Sequence, residues 1–361
     1  MILATLLQQN LMDNIYLYMI IALAILAVAD LVVGVSNDAV NFLNSAIGSK
    51  AISFKTIMIV ASLGVAVGAV FSSGMMEVAR KGIFNPGEFM FNEIMIIFMA
   101  VMITDILLLD FFNSVGMPTS TTVSIVFELL GAAVAMALIK IGHDGGDFSD
   151  VINYINTSKA SQIIFGILLS VVVAFSIGAL VQWVSRILLS YNFEKKAHWV
   201  GALFGGFALT AITYFIFMKG LKGTSYAKES FDILGGGTMK DFLEEQVLSI
   251  VLVSSVFWSL LSYALIAFVK TNIYKLIIIV GTFALALAFA GNDLVNFIGV
   301  PVAAYNAFQE WSASGVAASA FPMDVLAEKV LAIIWSRNDY GTNIMVFVKS
   351  KRSCKNIFRL I

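Results

Sequence analysis

Eight apolar stretches, each close to the length of a bilayer span, limit the fold of this chain more than any other feature. A transmembrane helix needs about 20 consecutive, mainly apolar residues. The stretches cover residues 15–33, 54–74, 94–112, 117–140, 161–182, 198–218, 246–269 and 274–290. Their length and their separation by short polar joints predict an all-α, polytopic protein with roughly eight membrane helices.

Composition agrees with a membrane location and excludes several other classes. Apolar residues make up 60% of the chain and charged residues 12%, about half the charged fraction of a typical soluble domain. The net charge of −1 and scattered basic residues exclude nucleic acid as a partner. With Cys354 as the single cysteine, any metal ligands must be oxygen atoms. No basic residue precedes Lys50, so we expect the first apolar run to be a membrane span rather than a signal peptide.

A six-residue polar motif occurs twice. Asn37–Phe42 reads Asn-Asp-Ala-Val-Asn-Phe, and Asn292–Phe297 repeats it with one substitution. Each copy follows an apolar run and is flanked by small residues such as Gly34 and Gly291. Polar, glycine-interrupted segments at corresponding positions of two halves indicate the midplane binding site of a transporter.

Helical spacing places the polar residues of each copy close together. Asp38 lies three residues before Asn41, and Asp293 lies three residues before Asn296. Carboxylate and amide oxygens suit a small cation, whereas amide N–H groups and helix N-termini bind anions. The alternative is that these residues only join membrane helices by hydrogen bonds. Buried carboxylates are costly, which favours function for both aspartates. Four other acidic residues could either have a functional role or lie at a membrane face: Asp30, Asp105, Asp110 and Glu77.

A run of hydroxyl residues provides a second candidate element. Pro118 favours a helix start, and Ser120, Thr121 and Thr122 follow it. Hydroxyls and free N–H groups in a first helical turn can bind an anion, although an ordinary helix cap would look the same. The repeated Asn-Asp motif in the same chain favours the anion site. No nucleotide-binding loop and no nucleophile–base pair is visible, so we predict neither ATP coupling nor an enzyme.

These three motifs resemble those of the inorganic phosphate transporter (PiT) family of sodium- or proton-coupled permeases. The family carries a Gly-Ala-Asn-Asp-Val-Ala-Asn-Ala signature in each of two inverted halves, with a Pro-x-Ser-Thr-Thr-His element after each. Residues 36–41 and 290–296 resemble the signature, and 118–122 resembles the second element. The resemblance implies two inverted repeats with broken, re-entrant helices. It assigns 1–142 to the first repeat, 143–245 to linking helices and a polar loop, and 246–335 to an incomplete second repeat.

The resemblance also implies sodium-coupled import of inorganic phosphate by a multi-pass protein of the cell membrane, with no cofactor besides the coupling ion. It allows a homodimer. The implied phosphate-site residues are Asn37, Asp38, Ser120, Thr121, Thr122, Asn292 and Asp293. The implied sodium ligands are Asp38, Asn41, Asp293 and Asn296.

Two departures from the family pattern leave alternatives open. Val123 stands where the family has histidine, which favours sodium over proton coupling. No second Ser-Thr-Thr run follows Asp293, and the tail at 336–361 is basic and atypical. These features predict a truncated second repeat, so an inactive remnant is one alternative. A proton-coupled phosphate permease or a sulfate permease is the other.

Overall fold

The computed structural model describes residues 2–71, 83–189, 198–218 and 238–327. This part of the chain is helical, and its extended pairing is confined to isolated bridges. The helices are α1 (Ile2–Ser49), α2 (Phe54–Phe71), α3 (Phe91–Val115), α4 (Thr121–Asp144), α5 (Val151–Tyr154), α6 (Thr157–Leu189), α7 (His198–Ile216), α8 (Met239–Glu245), α9 (Val247–Ala267), α10 (Ile273–Asn292) and α11 (Leu294–Ser314). Short 3-10 helices occupy Pro86–Glu88, Phe148–Asp150 and Met323–Ala327.

Most of the predicted apolar stretches form helices of membrane-spanning length. Within the described ranges, seven candidate spans are long and apolar enough to cross a bilayer. The stretch predicted at 54–74 forms α2, whose apolar part, Phe54–Ala69, is shorter. The prediction of an all-α, multi-pass membrane fold is confirmed.

The two copies of the motif differ in their backbone. The first copy lies inside the uninterrupted helix α1, so the first copy does not coincide with a helix break. The second copy is interrupted at Asp293, where α10 ends and α11 begins. A further interruption separates α3 from α4 at residues 116–120.

The described residues divide into two compact units whose segments alternate along the chain. Among the described residues, the first unit draws on 2–40, 83–167 and 293–327, and the second on 41–71, 168–189, 198–218 and 238–292. The units cut across the repeat boundaries inferred from the sequence, and the assignment of 1–142, 143–245, 246–335 and 336–361 stays a prediction. The described residues end at 327, so the tail at 336–361 lies outside them.

Aromatic packing holds the first unit together. Phe91 on α3 stacks on Trp311 of α11 with ring centroids 4.5 Å apart, and Tyr16 of α1 packs edge-on against both rings. Gly34 of α1 lies against the ring of Phe297 so closely that a side chain there would overlap it. Helix α1, which carries Asp38, and helix α11, which begins directly after Asp293, therefore approach each other beside these two aspartates.

Small residues allow close helix packing in the second unit. Gly64 and Gly68 of α2 face the backbone of α10, and a Cβ at Gly64 would lie 2.6 Å from the carbonyl oxygen of Phe283. A Cβ at Gly205 of α7 would lie 2.9 Å from the hydroxyl of Ser262 on α9. In a bilayer such backbone-to-backbone contacts replace the hydrophobic driving force that is available in water.

Candidate functional site

Helix α4 begins at Thr121, three residues after Pro118. Helix α3 ends at Val115 and is capped by Gly116, whose φ of 72° is the left-handed conformation that favours glycine. Ser120 caps α4, and its hydroxyl accepts a 3.4 Å hydrogen bond from the Val123 N–H. The predicted helix start is confirmed, and the Ser120 side chain, which is exposed, serves as a helix cap in this structure.

Asn37 fixes the loop that precedes α4. Its Nδ2 donates to Asn113 Oδ1 at 2.9 Å and to the carbonyl of Met117 at 3.2 Å, while its Oδ1 accepts from the Thr119 N–H at 2.8 Å. Asn113 Nδ2 in turn donates to the carbonyl of Val33 on α1. The Asn37 carboxamide, 4% exposed, is thus used to hold the loop against α1.

Asp38 contacts the first hydroxyl of α4. Thr121 Oγ1 donates to Asp38 Oδ2 at 3.1 Å, and both side chains are buried. A carboxylate inside a membrane helix is costly unless it meets hydrogen-bond donors or a cation. The first turn of α4 supplies one such donor.

Asp293 contacts the next hydroxyl along. Thr122 Oγ1 donates to Asp293 Oδ1 at 3.1 Å, and Asn296 Nδ2 donates to Thr122 Oγ1 at 2.9 Å. Thr121 and Thr122 are neighbours in sequence, yet they contact aspartates from different copies of the motif. One helical turn therefore brings together polar groups from both copies.

This cluster combines features suited to a cation and to an anion. Two carboxylates, amide oxygens and hydroxyls are the hard oxygen ligands that small cations prefer. The N-terminus of α4 presents backbone N–H groups and the positive end of the helix dipole, which favour an anion. No three His, Cys, Asp or Glu side chains of the described residues have the arrangement of a metal site. A cation here would therefore rely on neutral oxygens beside the two carboxylates.

The contacts described above do not include two predicted site residues. Asn41 lies one turn beyond Asp38 on α1, is exposed, and belongs to the second unit. The side chain of Asn292 lies outside the described residues. The residues brought together are Asn37, Asp38, Ser120, Thr121, Thr122, Asp293 and Asn296.

A second group of polar residues was not assigned to a site from the sequence. Ser124 Oγ lies 2.8 Å from Asp105 Oδ1 and 2.6 Å from Glu128 Oε1. Asp30 and Asp105 are buried at 0% and 1% exposure, so neither lies at a membrane face. The spacing of Ser124 and Glu128 from Thr121 along α4 was the available signal. Asp110 is exposed, and Glu77 lies outside the described residues.

The sequence is similar to those of known phosphate permeases. A model described as the phosphate transporter family matches residues 34–351, which include both motif copies and part of the 336–361 tail. A candidate phosphate permease of Pyrococcus furiosus is 25% identical over 320 residues, covering 88% of this chain and 72% of the relative. One from Thermococcus kodakarensis is 26% identical over 331 residues, covering 88% and 73%.

A solved structure shares the fold. It is described as the sodium-dependent phosphate transporter and aligns with a TM-score of 0.58 at 22% identity, covering 86% of this chain and 72% of that one. Because the family model spans most of the sequence, including both Asn-Asp motifs and the hydroxyl run, the chain belongs to the phosphate transporter family.

Proposed function

We propose that this chain is a secondary active transporter that imports inorganic phosphate together with sodium. The observation that carries the proposal is the pair of hydrogen bonds from Thr121 and Thr122 to Asp38 and Asp293. These bonds join one helix N-terminus to an aspartate from each copy of the motif. Such a meeting point of two repeats is where transporters bind substrate and coupling ion.

Phosphate binds at the start of α4 in this proposal. Ser120, Thr121 and Thr122 offer hydroxyl groups, and the first-turn N–H groups and the helix dipole offer partial positive charge. A tetrahedral oxyanion has enough acceptor oxygens to engage several of these donors together. Asn37 keeps the loop in place through its three hydrogen bonds. Asn292 stays a phosphate-site residue predicted from the sequence alone.

Sodium binds to Asp38, Asp293 and Asn296 in the same proposal, and Asn41 stays a ligand predicted from the sequence alone. The two aspartates stand within hydrogen-bond distance of the threonines that would hold phosphate, so without a cation they would repel the anion. Repulsion between charges is strong where little water screens them. Sodium removes that repulsion, and phosphate in turn favours sodium, which gives coupling. Val123 in place of the family histidine supports sodium rather than a proton at this position.

Uptake into liposomes tests the proposal. The purified chain is reconstituted with an inward sodium gradient, and labelled phosphate uptake is compared with an equal potassium gradient. We expect saturable uptake in sodium and none in potassium, with sulfate a poor competitor. Equal uptake with both cations would contradict sodium coupling, and strong sulfate competition would favour a sulfate permease.

The truncated-remnant alternative predicts a different combination of results. A remnant with an intact site at α4 would bind phosphate in sodium but would fail to carry it into liposomes. Measuring binding and uptake on the same preparation therefore separates a transporter from a remnant. Residence in the cell membrane, contact with the lipid bilayer and assembly as a homodimer belong to the proposal as well.

A further inference from the structure

Ser124, Asp105 and Glu128 form a cluster one turn further along α4. Its two hydrogen bonds need more donor hydrogens than the Ser124 hydroxyl supplies. The Ser124 hydroxyl lies 2.8 Å from an Asp105 oxygen and 2.6 Å from a Glu128 oxygen. A hydroxyl carries one hydrogen, and an ionised carboxylate can only accept. Ser124 can therefore donate to one of the two carboxyl groups, and the other contact needs a proton from the carboxyl side.

Asp30 strengthens this argument independently. Its side chain is 0% exposed, and both of its carboxyl oxygens are buried without a hydrogen-bond donor in contact. The charged groups that act on Asp30 are Asp105 and Glu128, which are also acidic. Glu128 Oε2 is likewise buried without a donor. Three ionised carboxylates in this position would carry a very large desolvation and repulsion cost.

The other charged groups of the packed helices do not supply a counter-charge. On α3 and α4, Glu93 and Lys140 pair with each other at 3.2 Å. Each lies twelve residues from the cluster member on its own helix, about 18 Å along the axis. Asp38 and Asp293 are bound to Thr121 and Thr122. Among the described side chains of these helices, the remaining acidic or basic ones are Asp110, His143 and Glu310.

The distances between oxygen atoms in the cluster favour a bound proton over a metal ion. Distances of 2.6 and 2.8 Å between oxygens are those of hydrogen bonds. Two oxygens that bind one cation at about 2.4 Å and at right angles lie roughly 3.4 Å apart. The cluster also does not meet the arrangement of a metal site among the described residues.

We propose that Asp30, Asp105 and Glu128 form a proton-binding site that is separate from the phosphate and sodium site. At least one of the three carboxyl groups is a neutral acid that donates its proton to Ser124 or to a neighbouring carboxylate. The proton moves between a carboxyl oxygen and water, so no other reactant is required.

The same helices carry both sites. Ser124 and Glu128 follow Thr121 on α4, and Asp30 precedes Asp38 on α1. A cleft of about 520 Å³ beside α3 and α4 is lined by Thr119, Ser124 and Glu128, among others. Ser124 and Glu128 are among the polar residues of a largely apolar lining, so in this proposal protons reach the cluster along these two side chains. The link to transport rests on the proposed function, whereas the proton site itself stands on the geometry.

Infrared difference spectroscopy of the purified protein tests the inference without measuring transport. A neutral carboxylic acid has a carbonyl stretch that is separate from that of a carboxylate and shifts in D₂O. In sodium-free buffer at neutral pH we expect this acid band in the native chain. We expect Asp30→Asn, Asp105→Asn and Glu128→Gln each to lower or shift it.

Two control variants assign the band. Asp110→Asn changes an exposed carboxylate on the same helix as Asp105 and should leave the band unaltered. Asp38→Asn tests the proposed sodium site and should also leave it unaltered. Absence of the acid band from the native chain would overturn the inference even if the cluster variants fail to fold. A band that responds only to Asp38→Asn, or that disappears when sodium is added, would overturn it as well. Failure of phosphate uptake would leave this result untouched, so the two proposals fail separately.

Discussion

The two copies of the Asn-Asp motif are nearly identical in sequence but are used differently. In the first copy Asp38 lies within an unbroken helix, and the leading Asn37 holds the loop before α4. In the second copy Asp293 lies at a helix junction, and the trailing Asn296 donates to Thr122. A motif repeated in sequence is therefore not repeated in role, because both copies meet one hydroxyl element.

Removing the charge from either aspartate should have the largest effect. Asp38→Asn and Asp293→Asn should each weaken sodium-dependent phosphate binding by about 1–3 kcal/mol, because each removes a charged ligand from a site with little water. The fully buried Asp38 should lose more than the partly buried Asp293. Phosphate binding across a sodium titration measures both, with Asp110→Asn as the exposed control. Unaltered sodium dependence in both variants would sink the cation-site assignment.

The asparagines should separate stability from ligand binding. Asn37→Ala leaves the Thr119 N–H and the Met117 carbonyl without this partner, and should lower the free energy of unfolding by about 1–3 kcal/mol. Asn296→Ala should chiefly lower sodium affinity, since its bond reaches Thr122 in the site. Thermal unfolding and sodium titration of both variants provide the readouts. Equal losses of stability would remove the distinction between the two copies.

Packing between α1 and α11 should affect the free energy of unfolding by a similar or smaller amount. Gly34→Ala places a methyl group against the ring of Phe297, and overpacking typically costs about 1–3 kcal/mol. A compensating Phe297→Leu should recover part of the loss, because it removes the ring that the methyl group meets. Thermal unfolding of the single and double variants tests this. A double variant no more stable than Gly34→Ala would mean that the two helices do not meet at this point.

Substitution of the hydroxyl residues should have the smallest effect on ligand affinity. This effect should differ between phosphate and sodium. Ser120→Ala together with Thr121→Val should lower phosphate affinity more than sodium affinity, since hydroxyl donors serve the anion chiefly. Loss of the Ser120 cap alone should cost about 1 kcal/mol of stability. Isothermal titration with each ion separately measures the difference. Equal losses for both ions would assign the hydroxyls to the cation or to the helix cap.

The sequence predicted well those features that depend on neighbouring residues. Pro118 and the hydroxyls after it indicated the start of α4 because capping depends on neighbouring residues. The membrane helices followed from the apolar runs for the same reason. Family membership followed from the three motifs together.

Features that depend on distant partners were not predictable. The break at Asp293 and the continuity of α1 through Asp38 arise from nearly the same six residues, so local sequence cannot distinguish them. The burial of Asp30 and Asp105 depends on which helices surround them. Asn113 was missed because its role requires Asn37, 76 residues earlier in the chain.

In the function that we propose, one site at the start of α4 binds phosphate and sodium with mutual dependence. Equilibrium binding of phosphate to the purified chain at rising sodium, and of sodium at rising phosphate, tests it most directly, with potassium as the matched cation. We expect each ligand to raise the affinity of the other by the same factor, as linkage requires. Phosphate affinity that is the same in sodium and in potassium would contradict it.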